Sequence, residues 1–576
     1  MGADIQDTPL NRIRHSAAHI MAQAVQELFP ETKLGIGPVI KDGFYYDFQR
    51  SEPFTDEDLA KIEKRMKEIV KKSVDFTHED WSKKKAIDFF ARKDEPFKIE
   101  LINSFPGDSV SIYHQGAFTD LCRGPHVNNT KEVKAVKVLH MAGAYWRGKE
   151  SNPVLQRIYA TAFDSKESLN DYLYRLEEAK KRDHRKLGKA LDLFSFHDEA
   201  PGMPFFHPKG MTLYSLLVDF WREKHRENDY VEIKTPLIMR EELWKQSGHY
   251  DHYRDHMYFT SMEEHNFAVK PMNCPGSNLV FKEGQKSYRD LPIRLAELGQ
   301  VHRHELSGVM HGLFRVKTFV IDDTHIYCTE DQIKEEIAKV IKLILEMYQT
   351  FGFKGVEIEL STKPEDSMGS AQMWEKAETA LKQALDMNGI KYKLNPGDGA
   401  FYGPKIDFHI LDSLERSWQC GTIQLDFSMP ERFELEYIGS DGVAHRPVMI
   451  HRAVFGSVER FLGILIEHYA GVFPAWLAPL QAKILVISER HEAYAREKYA
   501  QMRAAGLRVE MDLRSAKISY KIRQAEQEKI PYMLIVGDKE IEANAFSVRQ
   551  HGRKDLGSMP VTEVIEKIVE EVNTKG

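Results

Sequence analysis

Three separated segments of this 576-residue chain each carry one residue suited to holding zinc. They are Cys274 in Lys270-Pro271-Met272-Asn273-Cys274-Pro275, His325 in Asp322-Asp323-Thr324-His325, and His451 in Met449-Ile450-His451-Arg452. None has a second ligand close by at the spacing of a closed structural site. Three protein ligands with an open fourth position suit a zinc ion that works on a substrate. A second set lies upstream. His15 and His19 stand one helical turn apart, so a helix places both imidazoles on one face. Cys122 and His126 repeat that spacing within Asp120-Leu121-Cys122-Arg123-Gly124-Pro125-His126. Read from the residues alone, this pairing fits a four-ligand zinc site first, a metal-free hydrolytic pocket second and unrelated core residues third.

Arginines form the other chemical signal. Arg303-His304-Glu305 precedes a glycine-bearing loop, with Arg315 and Phe319 beyond it, and Arg460 closes Gly456-Ser457-Val458-Glu459-Arg460 at what reads as a helix start. Guanidinium forks match phosphate oxygens two at a time, and Phe319 offers a face on which a base can stack. No P-loop or Rossmann fingerprint is present, so a nucleotide here would need another fold. On spacing alone each arginine reads more readily as a surface ion-pair residue.

The elements that must position these residues fall into three blocks. Hydrophobic periodicity predicts a helix from residue 15 and strands at 43–48 and 110–114 in the first block, then one long charged helix over 165–190. The second block, 191–477, is rich in glycine, proline and short strands, with helices at 213–228, 331–350 and 371–388. The third alternates strand and helix: 483–487, 491–505, 507–511, 517–528, 532–536 and 561–572. That order predicts a small, mostly parallel α/β domain.

Composition narrows the class. Hydrophobic residues make up 42% and charged residues 29%, which fits globular domains with real cores. No apolar run approaches a membrane span and the first thirty residues read as no secretory signal, so no membrane partner is expected. Four cysteines (Cys122, Cys274, Cys328, Cys420) argue against a disulfide framework and for a reducing, cytoplasmic setting. A net charge of −7 gives no global pull on nucleic acid, so a polyanion would be bound through local patches.

These residues carry a resemblance. Thr235-Pro236, Arg303-His304-Glu305 and the Gly456–Arg460 segment resemble motifs 1, 2 and 3 of the class II aminoacyl-tRNA synthetases. The segments around Cys274, Gly399–Asp407, Trp418–Phe427 and Val448–His451 are similar to those of the threonyl-tRNA synthetase family, and the likeness runs from about Asn11 to Lys575. It implies an α+β multidomain chain with four parts: an N-terminal α+β editing domain (1–164), a linker helix (165–190), a class II catalytic domain built on an antiparallel sheet (191–477), and a C-terminal α/β anticodon-binding domain (478–576). The implied activity is ATP-dependent ligation of L-threonine to tRNA(Thr) through threonyl-adenylate, with hydrolytic editing of seryl-tRNA(Thr), by a homodimer.

The resemblance also implies residue roles. Cys274, His325 and His451 match the ligands of one zinc ion per subunit, whose open position takes the threonine amino and hydroxyl groups. Asp323, Tyr402, Gln424 and the Met272 backbone complete the amino-acid pocket. Arg303 bridges the threonine carboxylate and the ATP α-phosphate. Glu305, Phe319, Gln419 and Thr422 hold adenosine, and Arg315 and Arg460 clamp the outer phosphates, with Mg²⁺ accompanying ATP. His249 matches a position assisting proton transfer from the tRNA ribose. His15, His19, Cys122 and His126, with Asp120, Lys98 and Tyr46, match the editing pocket, where the family uses a water without metal. That reverses the zinc preference drawn from the residues alone. Glu540 and Arg549 match anticodon-reading positions.

Three departures from the family pattern stand out. A ubiquitin-like domain that many bacterial relatives carry first is expected to be missing. Ile321 stands where a glutamine is usual and Thr318 where a glycine is, beside the amino-acid pocket. Ser515 replaces a frequent asparagine in the last domain. A protein serving only to bind RNA would be free to lose a zinc ligand or an arginine, and none is lost.

Overall fold

The computed structural model describes residues 7–552 and 554–575. It divides into two compact units, residues 1–177 and 178–576.

In the first unit the helix Pro9–Leu28 starts at Thr8, whose side chain accepts from the Asn11 N–H, with Pro9 in the first turn. Its buried face mixes small and large residues (Ala17, Ala18, Ile20, Met21, Ala24, Val25), which lets the backbone lie close to an antiparallel sheet. The sheet runs in the order Lys33–Leu34, Gly43–Gln49, Val154–Phe163, Ala135–Tyr145. The helix Asp56–Lys71 begins with a capping box between Thr55 and Asp58 and three acidic residues, which suit the positive end of its dipole. Each large apolar side chain buried between these layers contributes roughly 1.5–3 kcal/mol. A smaller sheet, Phe76–Ser82, Ser109–Gln115 and Phe118–Leu121, delivers Asp120 and Cys122 at its edge.

The expected single helix over 165–190 is two helices, Lys166–Arg182 and His184–Ala190. Asp183 breaks it: with φ −47 and ψ 117 it leaves the helical region and its carboxylate accepts from the Arg185 N–H. Aspartate competes for backbone donors in this way, so it favours caps over helix interiors. The charge pattern that suggested one helix carries no signal for that break.

The second unit centres on an eight-stranded sheet, ordered Val231–Glu232, Ile293–His302, Thr318–Cys328, Val448–Ala453, Ser417–Asp426, Lys405–Leu411, Gly355–Ser361, Lys393–Asn395. Pairing is antiparallel except at the two edges. One face packs on the helices Pro208–Glu227, Ile333–Thr350, Ala371–Met387 and Val458–His468 through Leu217, Trp221, Ile326, Ile344, Leu381, Ile450 and Leu465. Alternation along the strands sends the neighbours of Ile326 and Ile450, His325 and His451, to the opposite face.

The last domain is α/β as expected but not mostly parallel. Ala482–Val486 pairs in parallel with Val509–Asp512 and Tyr532–Val536, and then Ala545–Gln550 and Lys554–Pro560 add two antiparallel pairings. That terminal hairpin escaped notice because Lys554–Pro560 is polar and largely exposed, so it has no buried run to betray it. No helix among the described residues is long and apolar enough to cross a membrane.

Candidate active site and a second histidine-rich pocket

The open face of the eight-stranded sheet bears a cavity of about 570 Å³. Its wall includes Met272, Cys274, Arg303, Glu305, Arg315, Phe319, Ile321, Asp323, Tyr402, Thr422, Gln424, His451 and Arg460. Residues spread over nearly two hundred positions therefore meet in one space.

At one end the Cys274 thiol stands at the start of the helix Cys274–Lys282. His325 and His451 sit directly opposite each other on adjacent strands, with ring centroids 5.0 Å apart. One ligand atom from each of the three lies within 4.8 Å of the others, and all three residues are buried. Neither ring nitrogen of His325 has a hydrogen-bond partner. A buried imidazole left so costs about 1–3 kcal/mol, and a cation bound there would remove that cost. His451 Nε2 meets Asp426 Oδ2 at 2.9 Å, the carboxylate–histidine pairing that orients metal-bound imidazoles and leaves Nδ1 for an ion. Burial pushes the Cys274 thiol well up, reinforced by Asp323 and Asp426, and a metal ion is what reverses such a shift. The donor set fits a divalent metal.

Around this end, Asn273 Nδ2 donates to Asp323 Oδ2 at 3.1 Å, fixing the carboxylate at the cavity wall. Gly299 makes room for that asparagine, since a Cβ there would fall 2.1 Å from Asn273 Oδ1. Tyr402 donates to Gln424 Oε1, and its ring lies 4.8 Å from that of His451. His249 is wholly buried. Its Nδ1 is 2.8 Å from Ser247 Oγ, and its Nε2 lies 3.1 Å from Met272 Sδ and 3.6 Å from Cys274 Sγ. Burial pulls its pKa down to about 3, so the ring is neutral.

At the other end Arg303 donates to the Pro271 carbonyl (3.2 Å) and lies 5.2 Å from the Phe319 ring centre. Arg315 forks onto Glu305 Oε2 (3.0 and 2.8 Å), and Arg460 Nη1 donates to the Phe314 carbonyl (3.2 Å). Three guanidinium groups against few carboxylates make this end suited to a phosphate chain. Gln419 is not on the wall; its amide donates to Asp407 Oδ1 at 2.8 Å. Sequence reading missed Asn273 and Asp426. Both lie inside segments it quoted, but neither contact shows in spacing.

The first unit holds the second cluster. His15 Nε2 and His126 Nε2 lie 3.1 and 3.2 Å from Cys122 Sγ, and one ligand atom from each of His15, His19, Cys122 and His126 lies within 4.8 Å of the others. The protons can be assigned. The Pro125 carbonyl, 3.2 Å from His15 Nδ1, only accepts, so that nitrogen carries the ring proton and Nε2 takes the Cys122 S–H. Ser16 Oγ accepts from the Val127 N–H and donates to His126 Nδ1 (3.1 Å), so His126 Nε2–H points at the sulfur. Burial lowers the pKa values of His15, His19 and His126 and raises that of Cys122 to about 12. Below them Lys98 reaches Asp120 (2.5 Å) and donates to the Tyr46 hydroxyl (2.9 Å), which donates to Asp120 Oδ2 (2.6 Å). Ser16 was missed, and a signal existed: a serine in a helix interior is disfavoured unless its hydroxyl has a partner.

In the last domain the Glu540 carboxylate caps its own helix, accepting from the Gly537 N–H at 2.9 Å, and Arg549 lies opposite Met533 in the sheet.

The fold and the arginine-lined cavity define a class II aminoacyl-tRNA synthetase. Residues 258–469 match the family described as tRNA synthetase class II core domain (G, H, P, S and T), and 481–571 match the anticodon binding domain. Residues 110–159 match the threonyl and alanyl tRNA synthetase second additional domain. The threonine–tRNA ligase of Carboxydothermus hydrogenoformans is 58% identical over 98% of this chain and 89% of its own, and that of Acetivibrio thermocellus is 58% identical over 98% and 88%. A solved structure described as the RNA binding domain of threonyl-tRNA synthetase from Cryptosporidium parvum Iowa II is 43% identical, with a TM-score of 0.66 over 68% of this chain and 98% of that one. The chain belongs to the threonine–tRNA ligase family.

The two clusters make opposite predictions for metal. Cobalt(II) added to the metal-free full chain should give the thiolate charge-transfer absorption of one cysteine ligand. Cys274→Ala should abolish that band and Cys122→Ala should leave it; the reverse pattern would exchange the assignments.

Proposed function

We propose that this chain activates L-threonine with ATP, transfers it to tRNA(Thr), and hydrolyses seryl-tRNA(Thr) in the second pocket. The observation that carries the reading is a cavity lined by Arg303, Arg315 and Arg460 and, at its other end, by Cys274 and His451, which cluster with the buried His325. Cys274, His325 and His451 would hold a zinc ion, which when bound would supply a Lewis acid for the amino and hydroxyl groups of threonine. Asp323, steadied by Asn273, accepts from the substrate hydroxyl, and the Tyr402–Gln424 pair closes the pocket over it. Arg303 lies between the amino-acid end and Phe319, where it meets the threonine carboxylate and the α-phosphate. A carboxylate oxygen attacks the α-phosphorus and pyrophosphate leaves, its charge met by Arg315 and Arg460 with Mg²⁺ accompanying ATP. Glu305, Phe319 and Thr422 line the part of the cavity proposed for adenosine, and Gln419, bonded to Asp407 and off that wall, would have to turn to reach it. In the transfer step a ribose hydroxyl attacks the threonyl carbonyl and AMP leaves; we assign its proton transfer to His249, reached past Met272.

Residues 1–164 are assigned to editing, 165–190 to a linker, 191–477 to activation, and 478–576 to the anticodon, with Glu540 and Arg549 reading bases. Four free cysteines suit the reducing cytoplasm. Threonine-dependent ATP–pyrophosphate exchange tests the core of this reading. The full chain should exchange with threonine, and Cys274→Ala should lose at least about a hundredfold in kcat/KM, as expected when a group that contacts the substrate is removed. Undiminished exchange in that variant would remove the ligand assignment.

Editing follows from arithmetic. A pocket built around a hydroxyl rejects valine, but serine lacks only a methyl, which is worth roughly 1–3 kcal/mol or about 10–200-fold. A second hydrolytic site supplies the rest. In it the neutral His15 and His126, with Cys122, orient a water against the ester. His15→Ala with Cys122→Ala should leave threonylation near normal while seryl-tRNA accumulates. Because burial lowers both imidazole pKa values, wild-type hydrolysis should persist as pH falls through about 6.5, the ordinary histidine value. A fall centred there would show that these rings are not the working groups.

A two-fold dimer is proposed through the segment that resembles motif 1. Val231 and Met262 are each 61% exposed, with Leu237, Ile238 and Phe259 also bare. Apolar side chains left so on adjoining segments suit a self-complementary interface. Sedimentation at micromolar concentration should give a dimer, and replacing Val231 and Ile238 with lysine should give a monomer; a wild-type monomer with full activity would end the proposal.

A further inference from the structure

His184 lies outside the cavity, with no exposed surface, yet its contacts lead back to it. Its Nδ1 is 2.7 Å from Glu467 Oε1, and its backbone N–H donates to the same oxygen at 2.9 Å. Its Nε2 is 3.0 Å from the backbone nitrogen of Leu313. A backbone N–H only donates, so Nε2 is unprotonated and the ring proton points at Glu467. Both nitrogens are thereby used, which leaves Asp183, His184 and Glu467 without the lone pair a metal site would need, although their ligand atoms lie close together. The other Glu467 oxygen forms an ion pair with Arg416, 2.7 Å from its Nη1.

The turn that His184 grips is Gly312–Phe314, immediately before Arg315. Gly312 has φ +51, and a Cβ there would fall 2.2 Å from His184 Nε2, so the turn is built around this ring. The Phe314 ring is wedged between His184 and Trp418, with centroids 4.1 and 4.4 Å away, and its carbonyl takes Arg460. Arg460, Gly463 and Glu467 recur at helical spacing on Val458–His468, and Gly463 leaves room for the turn, since a Cβ would press to 3.1 Å on Phe314.

We propose that His184 is a positioning residue for ATP: bonded to Glu467 and to the Leu313 N–H, it clamps the Gly312–Phe314 turn so that Arg315 and Arg460 face the phosphate chain together. The proposal rests on reading the cavity as the ATP and threonine site. It assigns His184 no contact with either substrate.

Two substitutions separate its bonds. His184→Gln carries an amide oxygen to where Nε2 lies and can still accept from Leu313. His184→Asn reaches only the Nδ1 position, so it keeps Glu467 and loses Leu313. In ATP–pyrophosphate exchange by the full chain, Asn should raise the KM for ATP about tenfold with the KM for threonine within about twofold, and Gln should stay within about threefold of wild type. Gly312→Ala, which drives a methyl into the ring, should repeat the Asn phenotype from the other side. Calorimetric ATP binding gives the same comparison without turnover. Absent threonine-dependent exchange in the wild type would sink the functional reading instead, and calorimetry would still judge the clamp. Unchanged ATP affinity in the Asn or Gly312→Ala variant, parallel loss for ATP and threonine, or Gln no better than Asn would overturn the proposal.

Discussion

The site depends on one strand register: Thr318–Cys328 pairs with Val448–Ala453 so that His325 stands opposite His451, and Ser417–Asp426 pairs so that Gln424 stands beside it. A slip of one residue in either strand would turn that strand's histidine toward the helix-covered face and part the pair. The register is pinned from beneath. The Asp322 carboxylate accepts the backbone N–H groups of Val454, Phe455 and Gly456 at 2.9–3.1 Å, tying the two strands just beyond His451. Ser457 then caps the helix that carries Arg460, so the metal-binding and phosphate-binding ends are joined through one short stretch of backbone. The strand itself acts as a ruler. Phe319, Ile321, Asp323 and His325 share a face, and at roughly 3.3 Å per residue the outer pair stand about 20 Å apart, room for an amino acid joined to a nucleotide.

The two histidine–cysteine clusters contain the same kinds of atom in opposite states. Around Cys122 the thiol, both imidazoles, Ser16 and the Pro125 carbonyl form a closed chain of neutral hydrogen bonds. A metal entering there would have to break hydrogen bonds already made. Around Cys274, His325 has no hydrogen bond at either nitrogen, its Nε2 lying 3.6 Å from Asp323 Oδ1, and a carboxylate already braces His451. Residue spacing favoured zinc in the first cluster because it counts ligands and cannot count the hydrogen bonds that compete for them. The resemblance implies a metal-free pocket, and in this network the hydrogen bonds compete with an ion for the same atoms.

Much of the fold was legible from periodicity. The helices Ile333–Thr350 and Ala371–Met387 and the strand Tyr532–Val536 carry strong apolar patterns and fall where expected. What escaped was the Asp183 cap and the hairpin at 545–560, whose second strand, Lys554–Pro560, is polar and exposed and whose first carries only a short alternation of Phe546 and Val548. Gln419 is the instructive case in the site. Alternation from Gln424 and Thr422 would turn Cys420 to the open face, yet Cys420 packs in the helix-side core. A register shift at Phe408 and His409 changes the phase, so Gln419 takes the open side and bonds Asp407, the partner of Thr422. A bulge leaves no mark in a hydrophobic pattern, and only the resemblance reached Gln419. The meeting of Cys274, His325 and His451 was likewise beyond spacing, because strand register, set by distant pairings, brings them together.

Ile321 shows how polarity is divided along the ruler. It lines the cavity between Asp323 and Phe319, and its backbone bridges to Ser457, the cap of the Arg460 helix. An isoleucine can meet a substrate only by shape, so the middle of the strand gives no hydrogen bond. Polar side chains are therefore concentrated at the ends of the cavity: Asp323, Tyr402 and Gln424 at one, and the arginines at the other. On the proposed reading, ground-state contacts at the amino-acid end would fix which substrate sits there, while the guanidinium groups would act on charge that builds during displacement. The arginines stand on different supports: Arg460 lies on a capped helix, whereas Arg315 follows a turn rather than lying in the sheet. Packing behind that turn, where His184, Phe314 and Trp418 stack together, therefore matters as much to the phosphate end as strand register does to the metal-binding end.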